Sequence, residues 1–412
     1  MSVPLPARAR ALHALPWTLG LWAVGVQLNE AVAVAGALTT LLLSLVLAPS
    51  DFKARHLWPL WALIAWAILA PLVAGRPPSG TGLARLLDLA TLPAAAVAVS
   101  RLPGQHLLRV GQVTAGVLLA SVAVAAAQHF GRWPDAAFFE PLAWTRMGFH
   151  RVYETVPGRD DRFMAGGLLL HRLKFANVTA ILCTLGVASV ALRVPRWRFF
   201  AFASATGLLG VAIFPHARAA LAAAVLSCGL VWVLASSNRK RALLTAGVAG
   251  VVVVGLALAT PSVRARFERS LTSEGGGERG AINRAGLHAI AAHPIAGVGL
   301  GRFRPGLHLP PEAPAQAREH NGKAHNQFLT LAAEAGLPAA FLLLMQLALF
   351  AALAVRSLPR GAFLAGAVSL VVLLSLLHDP LFHAESSLAL SLALGAGLGA
   401  LARAPARPRR EA

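Results

Sequence analysis

Two segments, RGAINRAGLHAIAAHPIAGVGLGRF at residues 279–303 and AHNQFLTLAAEAG at residues 324–336, frame the longest polar interval of an otherwise apolar chain. A bilayer admits almost only helices, because unpaired backbone groups are costly in hydrocarbon. A charged segment interrupted by glycine and proline must therefore lie in water or line a water-filled cavity. We interpret residues 279–336 as the active-site loop, which leads into a new apolar helix.

The composition is typical of a polytopic membrane protein. Mean hydropathy is +0.64, and hydrophobic residues make up 57% of the chain against 13% charged residues. A formal net charge of +20 would suggest nucleic-acid binding in a soluble protein. Here much of that charge lies in short links between apolar runs, where lysine and arginine orient membrane proteins. We therefore expect membrane lipids, and no nucleic acid, as partners.

The apolar runs predict an all-α fold with about twelve transmembrane helices, since one span needs about 20 mostly apolar residues. Residues 1–412 are expected to form a single integral membrane domain. The first apolar run resembles a signal peptide, but no polar mature domain follows it, so we predict two uncleaved spans there. The predicted spans are 11–28, 31–48, 57–74, 83–100, 106–128, 173–192, 199–215, 217–235, 242–260, 327–354, 362–378 and 386–402.

The distribution of basic residues predicts the orientation. If the N-terminus lies inside, every inside link and the C-terminal tail is basic, as lysine and arginine bias requires. Both termini then lie inside, and two long links, residues 129–172 and 261–326, lie outside. Both long links carry several arginines, which long loops tolerate on the outer side. Taken together, two arginine-rich outer loops suggest an anionic ligand that is handled outside.

Two arginines are candidates for binding that anion. Arg218 stands at the start of an apolar helix in FPHARAALAAAVL, where a charge is costly and is a functional candidate. Arg284 precedes His288 by four residues on a predicted short amphipathic helix. The alternatives are a snorkelling arginine at position 218 and a surface arginine at position 284. The planar guanidinium group of arginine binds phosphate with two parallel hydrogen bonds. We therefore predict that Arg218 and Arg284 converge on one anion.

A histidine is the candidate base. His325 opens the run HNQFLTLAAEAG, and helical spacing predicts that it shares a face with Leu329 at the helix start. An unperturbed imidazole titrates near pH ~6.5, so it can take a proton from a hydroxyl at neutral pH. The alternative is a capping or interfacial histidine. His320 also precedes an asparagine, but it lacks the leucine and glycine that follow His325.

A second polar cluster, HDPLFHAES, contains His378, Asp379, His383 and Glu385. These side chains resemble a metal-ligand set. Pro380 disrupts regular helical spacing, however, and the cluster falls at a predicted outer helix end. We therefore expect these groups to satisfy one another or to line the same cavity, and we predict no metal site.

The pattern H-[NS]-x-x-L-x6-G, fitted by His325, Asn326, Leu329 and Gly336, resembles the signature of the O-antigen ligase/polymerase superfamily of bacterial membrane glycosyltransferases. The resemblance covers roughly residues 170–345.

Three further segments carry the same resemblance. Arg284 followed by HPIAGVGLGRF is similar to a second family segment, KFANVTA resembles a family helix start, and Arg218 falls where an arginine opens a helix. There are also departures: His288 stands where tryptophan is usual, PHAR replaces a more usual Ser-Arg, and Ala339 stands where a second glycine is common.

The resemblance implies a helical fold of the GT-C type and an inverting glycosyl transfer that needs neither metal nor cofactor. It places the chemistry on the periplasmic face of the bacterial inner membrane, with a glycan on undecaprenyl pyrophosphate as donor. The chemistry of the residues fits this reaction: His325 is the best-placed candidate for the catalytic base, and Arg218 and Arg284 are the expected pyrophosphate ligands. The expected supporting residues are Asn326, Lys174, Asn177, Arg279 and Arg302.

The acceptor and the function class remain open at this level. A ligase would use a sugar hydroxyl of lipid A–core as acceptor, whereas a polymerase would use another lipid-linked repeat unit. A transporter of an anionic lipid-linked sugar is an alternative from another class. It would predict charged residues at mid-membrane depth and internal repeats, and the sequence shows few of the former and none of the latter.

Overall fold

The computed structural model describes residues 5–131, 133, 155–156, 159–259, 264, 273–319 and 323–403. Helices dominate this part of the chain, and a short antiparallel pair, β1 (Thr155–Val156) and β2 (Arg159–Phe163), accompanies them. The helices are α1 (Leu5–Leu28), α2 (Glu30–Leu47), α3 (Trp58–Val73), α4 (Gly80–Ala90), α5 (Leu92–Arg101), α6 (Gly104–Gly131), α7 (Arg172–Ala191), α8 (Trp197–Ile213), α9 (Arg218–Ala235), α10 (Arg239–Ala259), α11 (Ser273–Ala292), α12 (Ala315–Arg318), α13 (Gln327–Ala335), α14 (Leu337–Arg356), α15 (Ala362–Leu377) and α16 (Ala384–Ala402).

The architecture is that of an all-α polytopic membrane protein, as the sequence predicts. Within the described residues, nine helical stretches are long and apolar enough to cross a bilayer. Two shorter apolar helices, α8 and α15, accompany them. Each of the twelve predicted spans falls on helix. The interval between α10 and α13 contains the helices α11 and α12, so the long loop is partly helical.

Two of the predicted spans are broken, which corrects the expected continuous helices. The predicted span 83–100 is divided at Thr91 into α4 and α5, and the predicted span 327–354 is divided at Gly336 into α13 and α14. Pro93 and Pro338 stand in the first turn of the second helix in each case. Proline lacks an N–H and clashes with the preceding turn, so it is favoured in the first turn of a helix and disfavoured further in.

Contacts between helix ends sort the elements onto two faces of the bundle. Lys174 at the start of α7 contacts Glu385 at the start of α16, and Gln327 at the start of α13 bonds the carbonyl of His378, which follows α15. We call the end that contains these residues the site face and the opposite end the far face. The site face therefore gathers segments that are distant in sequence.

The long loop docks on the site face through a small core of its own. Four residues of α11 are fully buried and form one stripe along the helix. They pack with Phe303, at the end of the glycine-rich segment (residues 297–303), with Ala324 before α13 and with Ala333 near the end of α13. Such a stripe is the apolar face of an amphipathic helix, so α11 is fixed against α13. The stripe consists of Ala281, Ile282, Ala285 and Ala289.

Candidate active site

The glycine-rich segment caps α13. The last carbonyls of a helix have no partner within it, and here the backbone N–H groups of Val298 and Gly299 donate to the carbonyls of Ala333 and Glu334 at 2.8 and 2.9 Å. Gly299 has φ +106°, a backbone conformation that favours glycine. The Gly-Val-Gly turn is therefore a structural clamp on the helix that follows His325.

The same segment is tied to the link between α3 and α4. The N–H of Ser79 donates to the carbonyl of Leu300 at 2.9 Å. The Nε of Arg302 donates to the carbonyl of Pro77 at 2.5 Å, and Arg302 is otherwise exposed. The structure therefore gives Arg302, expected as a supporting residue, a contact that fixes the loop to the membrane bundle.

Gly336, at the break between α13 and α14, offers a test of this clamp. It has φ +86°, and an added Cβ would overlap the backbone oxygen of Ile295. Gly336→Ala is therefore expected to destabilise the protein by more than the ~1–2 kcal/mol that a left-handed alanine costs. Gly75→Ala is the matched control, because Gly75 has φ +72° but open space around it. Thermal unfolding in detergent should show the larger loss for Gly336→Ala, and equal losses would contradict the clamp.

A buried ion pair links α4 to α13. Arg85 Nη1 lies 3.2 Å from Glu334 Oε2, with side chains 15% and 2% exposed. The Arg85 guanidinium also lies over the ring of Phe382 at 4.4 Å, and the Lys323 ammonium lies 4.8 Å from the same ring. Two cations therefore flank one aromatic side chain of the loop between α15 and α16, an attractive arrangement.

His325 lies outside the helix that it was expected to open. Asn326 is the N-cap of α13, and its Oδ1 accepts from the N–H of Leu329 at 3.1 Å. Because the cap has an extended backbone, helical spacing does not apply to His325, and the predicted shared face with Leu329 is wrong. The histidine has φ +56°, a conformation that is uncommon outside glycine. Such strain clusters at functional sites, where surrounding contacts enforce it.

Asp379 provides one of those contacts. Its carboxylate accepts from the backbone N–H of His325 and from the hydroxyl of Thr330, which lies 2.5 Å from Oδ1. Thr330 Oγ1 in turn accepts from the N–H of Ala324 at 2.9 Å. Burial raises the pKa of Asp379 to about 6. One buried carboxyl therefore holds both ends of the turn that presents His325.

His378 lies against the candidate base. The ring centroids of His325 and His378 are 6.0 Å apart. Burial lowers the pKa of His378 to about 3, with further contributions from the positive charges of Lys323, Arg279 and Arg172. His378 is therefore neutral at physiological pH, and these three cations lie close enough to act on its ring. The site around His325 is strongly electropositive.

The start of α7 adds a further cation and a buried amide. Lys174 Nζ lies 2.7 Å from Glu385 Oε1, and the two side chains are 14% and 0% exposed. Asn177 follows one turn later and is 1% exposed, with no hydrogen-bond partner for its amide among the described residues. His171 caps the helix and lies 5.4 Å from the ring of His383. The expected supporting residues Lys174 and Asn177 thus stand beside the 378–385 loop.

Arg279 and Arg284 are both exposed on α11, but they face different ways. Seven residues are almost two helical turns, so Arg279 lies along the same side of the helix as Gly286. An added Cβ on Gly286 would meet Leu329 of α13 at 2.9 Å, so this side faces α13. Arg284 lies on the side of His288, whose Nδ1 is 3.2 Å from the carbonyl of His308. The structure thus brings Arg279 towards His378, and the predicted convergence of Arg284 with Arg218 stays a prediction.

Arg218 is the first residue of α9. The hydroxyls of Ser227 on α9 and Ser369 on α15 are 2.9 Å apart, and these helices run antiparallel. Arg218 lies nine residues before Ser227, and His378 lies nine residues after Ser369. Because the two helices are antiparallel, Arg218 and His378 lie at the same depth in the bundle. The preceding His216 has φ +51° and is buried, so the chain turns sharply into the helix. Arg218 therefore stands at the site face, at the depth of the other cations.

Comparison with known protein families gives a match for part of the chain. Residues 202–344 match the family model described as O-antigen ligase. We call this segment, which is similar to O-antigen ligases, the O-antigen ligase domain. It includes Arg218, the whole of α11, the glycine-rich clamp and the turn that carries His325. No curated protein matches the chain significantly.

The O-antigen ligase domain does not contain the whole site. The start of α7 precedes residue 202, and the 378–385 loop follows residue 344. The 378–385 loop nevertheless contacts the domain at His325 and Gln327, and the start of α7 contacts that loop and the start of α16 through His383 and Glu385. The fold therefore completes the site of the O-antigen ligase domain with residues that the family match does not cover.

The polar cluster at 378–385 belongs to this site. Asp379 pairs with Thr330, and Glu385 pairs with Lys174. Within the described residues, no group of three or more His, Cys, Asp or Glu side chains is arranged to hold a metal ion. His320, the competitor of His325, lies outside the described residues.

Sequence reasoning missed three participants: the Arg85–Glu334 ion pair, the role of Thr330 and the position of Lys323. A signal for the first pair was present, because Arg85 and Glu334 each stand in an apolar run where a charge is costly. Thr330 and Lys323 carry no such signal, since their role depends on which loop packs against them.

Proposed function

We propose that this protein transfers a glycan from undecaprenyl pyrophosphate to a sugar hydroxyl of lipid A–core, with inversion and without a metal or cofactor. The observation that carries the proposal is the strained His325 turn, which Asp379 holds beside His378 and the cations that act on it. The O-antigen ligase domain supports a glycan-transferring enzyme of the ligase or polymerase type.

We assign the base function to Nε2 of His325. Its Nδ1 is buried, whereas the residue as a whole is half-buried. Nε2 is then the nitrogen that meets an acceptor hydroxyl and takes its proton. The acceptor oxygen attacks the anomeric carbon from the side opposite the pyrophosphate, and the bond from that carbon to the phosphate oxygen breaks with inversion. The proton stays on His325 until solvent removes it.

The leaving group explains the cations. Undecaprenyl pyrophosphate departs with its negative charge, so no strong general acid is needed, and guanidinium groups aimed at that charge stabilise the transition state. Arg218 and Arg284 are the proposed pyrophosphate ligands, and Arg279 is an additional one because it lies near His378. Asn326 acts indirectly, since its side chain caps α13. Asn177 is a proposed contact for a polar group of the substrate, because its buried amide has no hydrogen-bond partner among the described residues.

The acceptor is tested by direct transfer. We expect purified protein in liposomes to move glycan from the lipid pyrophosphate onto lipid A–core, at an unchanged rate in EDTA. The matched reaction replaces lipid A–core by a second lipid-linked repeat unit. Elongated lipid-linked chains with no lipid A–core product would establish the polymerase alternative instead. Loss of transfer in EDTA would contradict metal independence.

We propose further that the site face is periplasmic and that both termini are cytoplasmic. Cys183 and Cys228 are free and buried, so an introduced thiol on the surface is the reactive one. Glu312 is exposed in the long loop, and Glu312→Cys should react with an impermeant maleimide in intact spheroplasts. Arg356→Cys, at the far-face end of α14, should react only after lysis. The opposite pattern would reverse the orientation.

A further inference from the structure

The bundle contains an elongated cavity that the proposed chemistry does not use. Its volume is about 710 Å³, within the range of about 300–1,000 Å³ that is usual for small-molecule sites. Gly104 and Leu118, both on α6, line it, and their separation along the helix makes it about 21 Å long. It is enclosed by parts of α1, α5, α6, α7, α8 and α16, with Phe363 of α15.

The cavity reaches the far face. Its mouth includes Gly104 at the start of α6, Pro195 between α7 and α8, and Arg403 after α16. The site face holds the other end of α16, whose 19 residues span about 28 Å. The cavity is therefore separate from the His325 site, at the opposite side of the membrane.

The wall of the cavity is mostly apolar. Leucine, valine, alanine and phenylalanine side chains provide most of it. Two of its hydroxyls are already bonded within their own helices, because Thr114 donates to Val110 and Ser189 donates to Leu185. Besides Arg403, the other polar side chains of the lining are Ser204 and Gln105, so the interior offers a polar ligand few partners. An unfilled apolar void of this size would forfeit dispersion contacts along its whole lining, so a hydrocarbon chain is the occupant that fits.

The mouth carries a positive charge in a fixed position. Arg403 is exposed, and its Nη1 donates to the carbonyls of Val99, at 3.0 Å, and Leu102. These bonds tie the side chain to the end of α5, so that the guanidinium stays at the opening. Arg101 directly precedes Leu102, but its guanidinium is paired with the carboxylate of Asp51 at 3.1 Å. Arg403 is thus a cation in a fixed position at this opening, and Arg193 and Arg196 stand in the link that contains Pro195.

We propose that this cavity binds an acyl chain of an anionic phospholipid, with the headgroup phosphate on Arg403. An apolar channel that ends at a basic mouth between helices matches the two parts of such a lipid, and basic pockets of this kind recognise anionic headgroups. The site makes membrane lipid a structural ligand of the bundle and is independent of glycan transfer.

Native mass spectrometry of the full-length protein in detergent tests the proposal, with phosphatidylglycerol and phosphatidylethanolamine of identical acyl chains. Ala396 lines the cavity, and Ala396→Phe is expected to weaken phosphatidylglycerol binding by about tenfold or more, since several buried CH₂ groups lose their place. Ala246→Phe is the matched control, because Ala246 lines a separate groove between α9 and α10. It should bind like the wild type.

The headgroup is tested in the same assay. Arg403→Gln should abolish the preference for phosphatidylglycerol over phosphatidylethanolamine, whereas Arg356→Gln, at the end of α14 on the same face, should keep it. Equal binding by Ala396→Phe and Ala246→Phe would overturn the cavity assignment. An unchanged preference in Arg403→Gln would overturn the headgroup contact. Displacement of phosphatidylglycerol by an equal concentration of undecaprenyl phosphate would overturn the phospholipid as occupant.

Discussion

Replacing His325 by asparagine is expected to lower the rate of glycan transfer by roughly 10²–10⁴, the usual contribution of one general base. Asparagine is the sharper variant because it tolerates the left-handed conformation that His325 adopts at φ +56°. An alanine there would add a backbone cost to the loss of the imidazole. The measurement is single-turnover transfer in liposomes, with binding of the lipid pyrophosphate donor determined in parallel.

Two controls separate the base from a structural role. His288→Asn changes a histidine that lies on α11 and contacts the carbonyl of His308, and it should retain transfer. His320→Asn tests the competing candidate and should also retain it. Donor binding should persist in His325→Asn, because the cations that hold the pyrophosphate are unchanged. Full transfer in His325→Asn, or loss of donor binding together with transfer, would remove the base assignment.

Arg218→Lys is expected to lower transfer by about 10², the lower end of the effect of removing one transition-state donor. Lysine keeps the charge but loses the planar fork that grips phosphate with two hydrogen bonds. The same substitution at Arg279 and Arg284 compares two exposed arginines of one helix, of which Arg279 faces α13. Arg356→Lys, at the far-face end of α14, is the control and should transfer at the wild-type rate.

The three arginine variants distinguish a specific pyrophosphate contact from general surface charge. If Arg218→Lys and Arg284→Lys both transfer glycan normally, the pyrophosphate grip is wrong and general surface charge explains the basic loops. If Arg279→Lys is impaired and Arg284→Lys is not, the arginine that the structure brings towards His378 replaces the one that the motif indicates. Rates should be compared at saturating and at limiting donor, because a loss confined to limiting donor means ground-state binding alone.

The sequence by itself determined the fold class and pointed to a family. Apolar runs of bilayer length leave a helix as almost the only solution, because lipid offers no partners for the backbone, and every predicted span falls on helix. The motif around His325 and Gly336 indicated the O-antigen ligase family, which residues 202–344 match. The two broken spans were predictable in principle, since Pro93 and Pro338 mark their breaks.

Only the tertiary structure decided which polar residues share a site. Asp379 lies 54 residues after His325 in the chain, yet its carboxylate accepts from the backbone N–H of that histidine. Lys174 and Glu385 meet across 211 positions. Local periodicity carries no information on contacts of this range, because they depend on which helix ends pack side by side. The tertiary structure also decided the directions in which Arg279 and Arg284 point. The stripe that α11 buries against Phe303 and α13 sets the rotation of that helix about its axis.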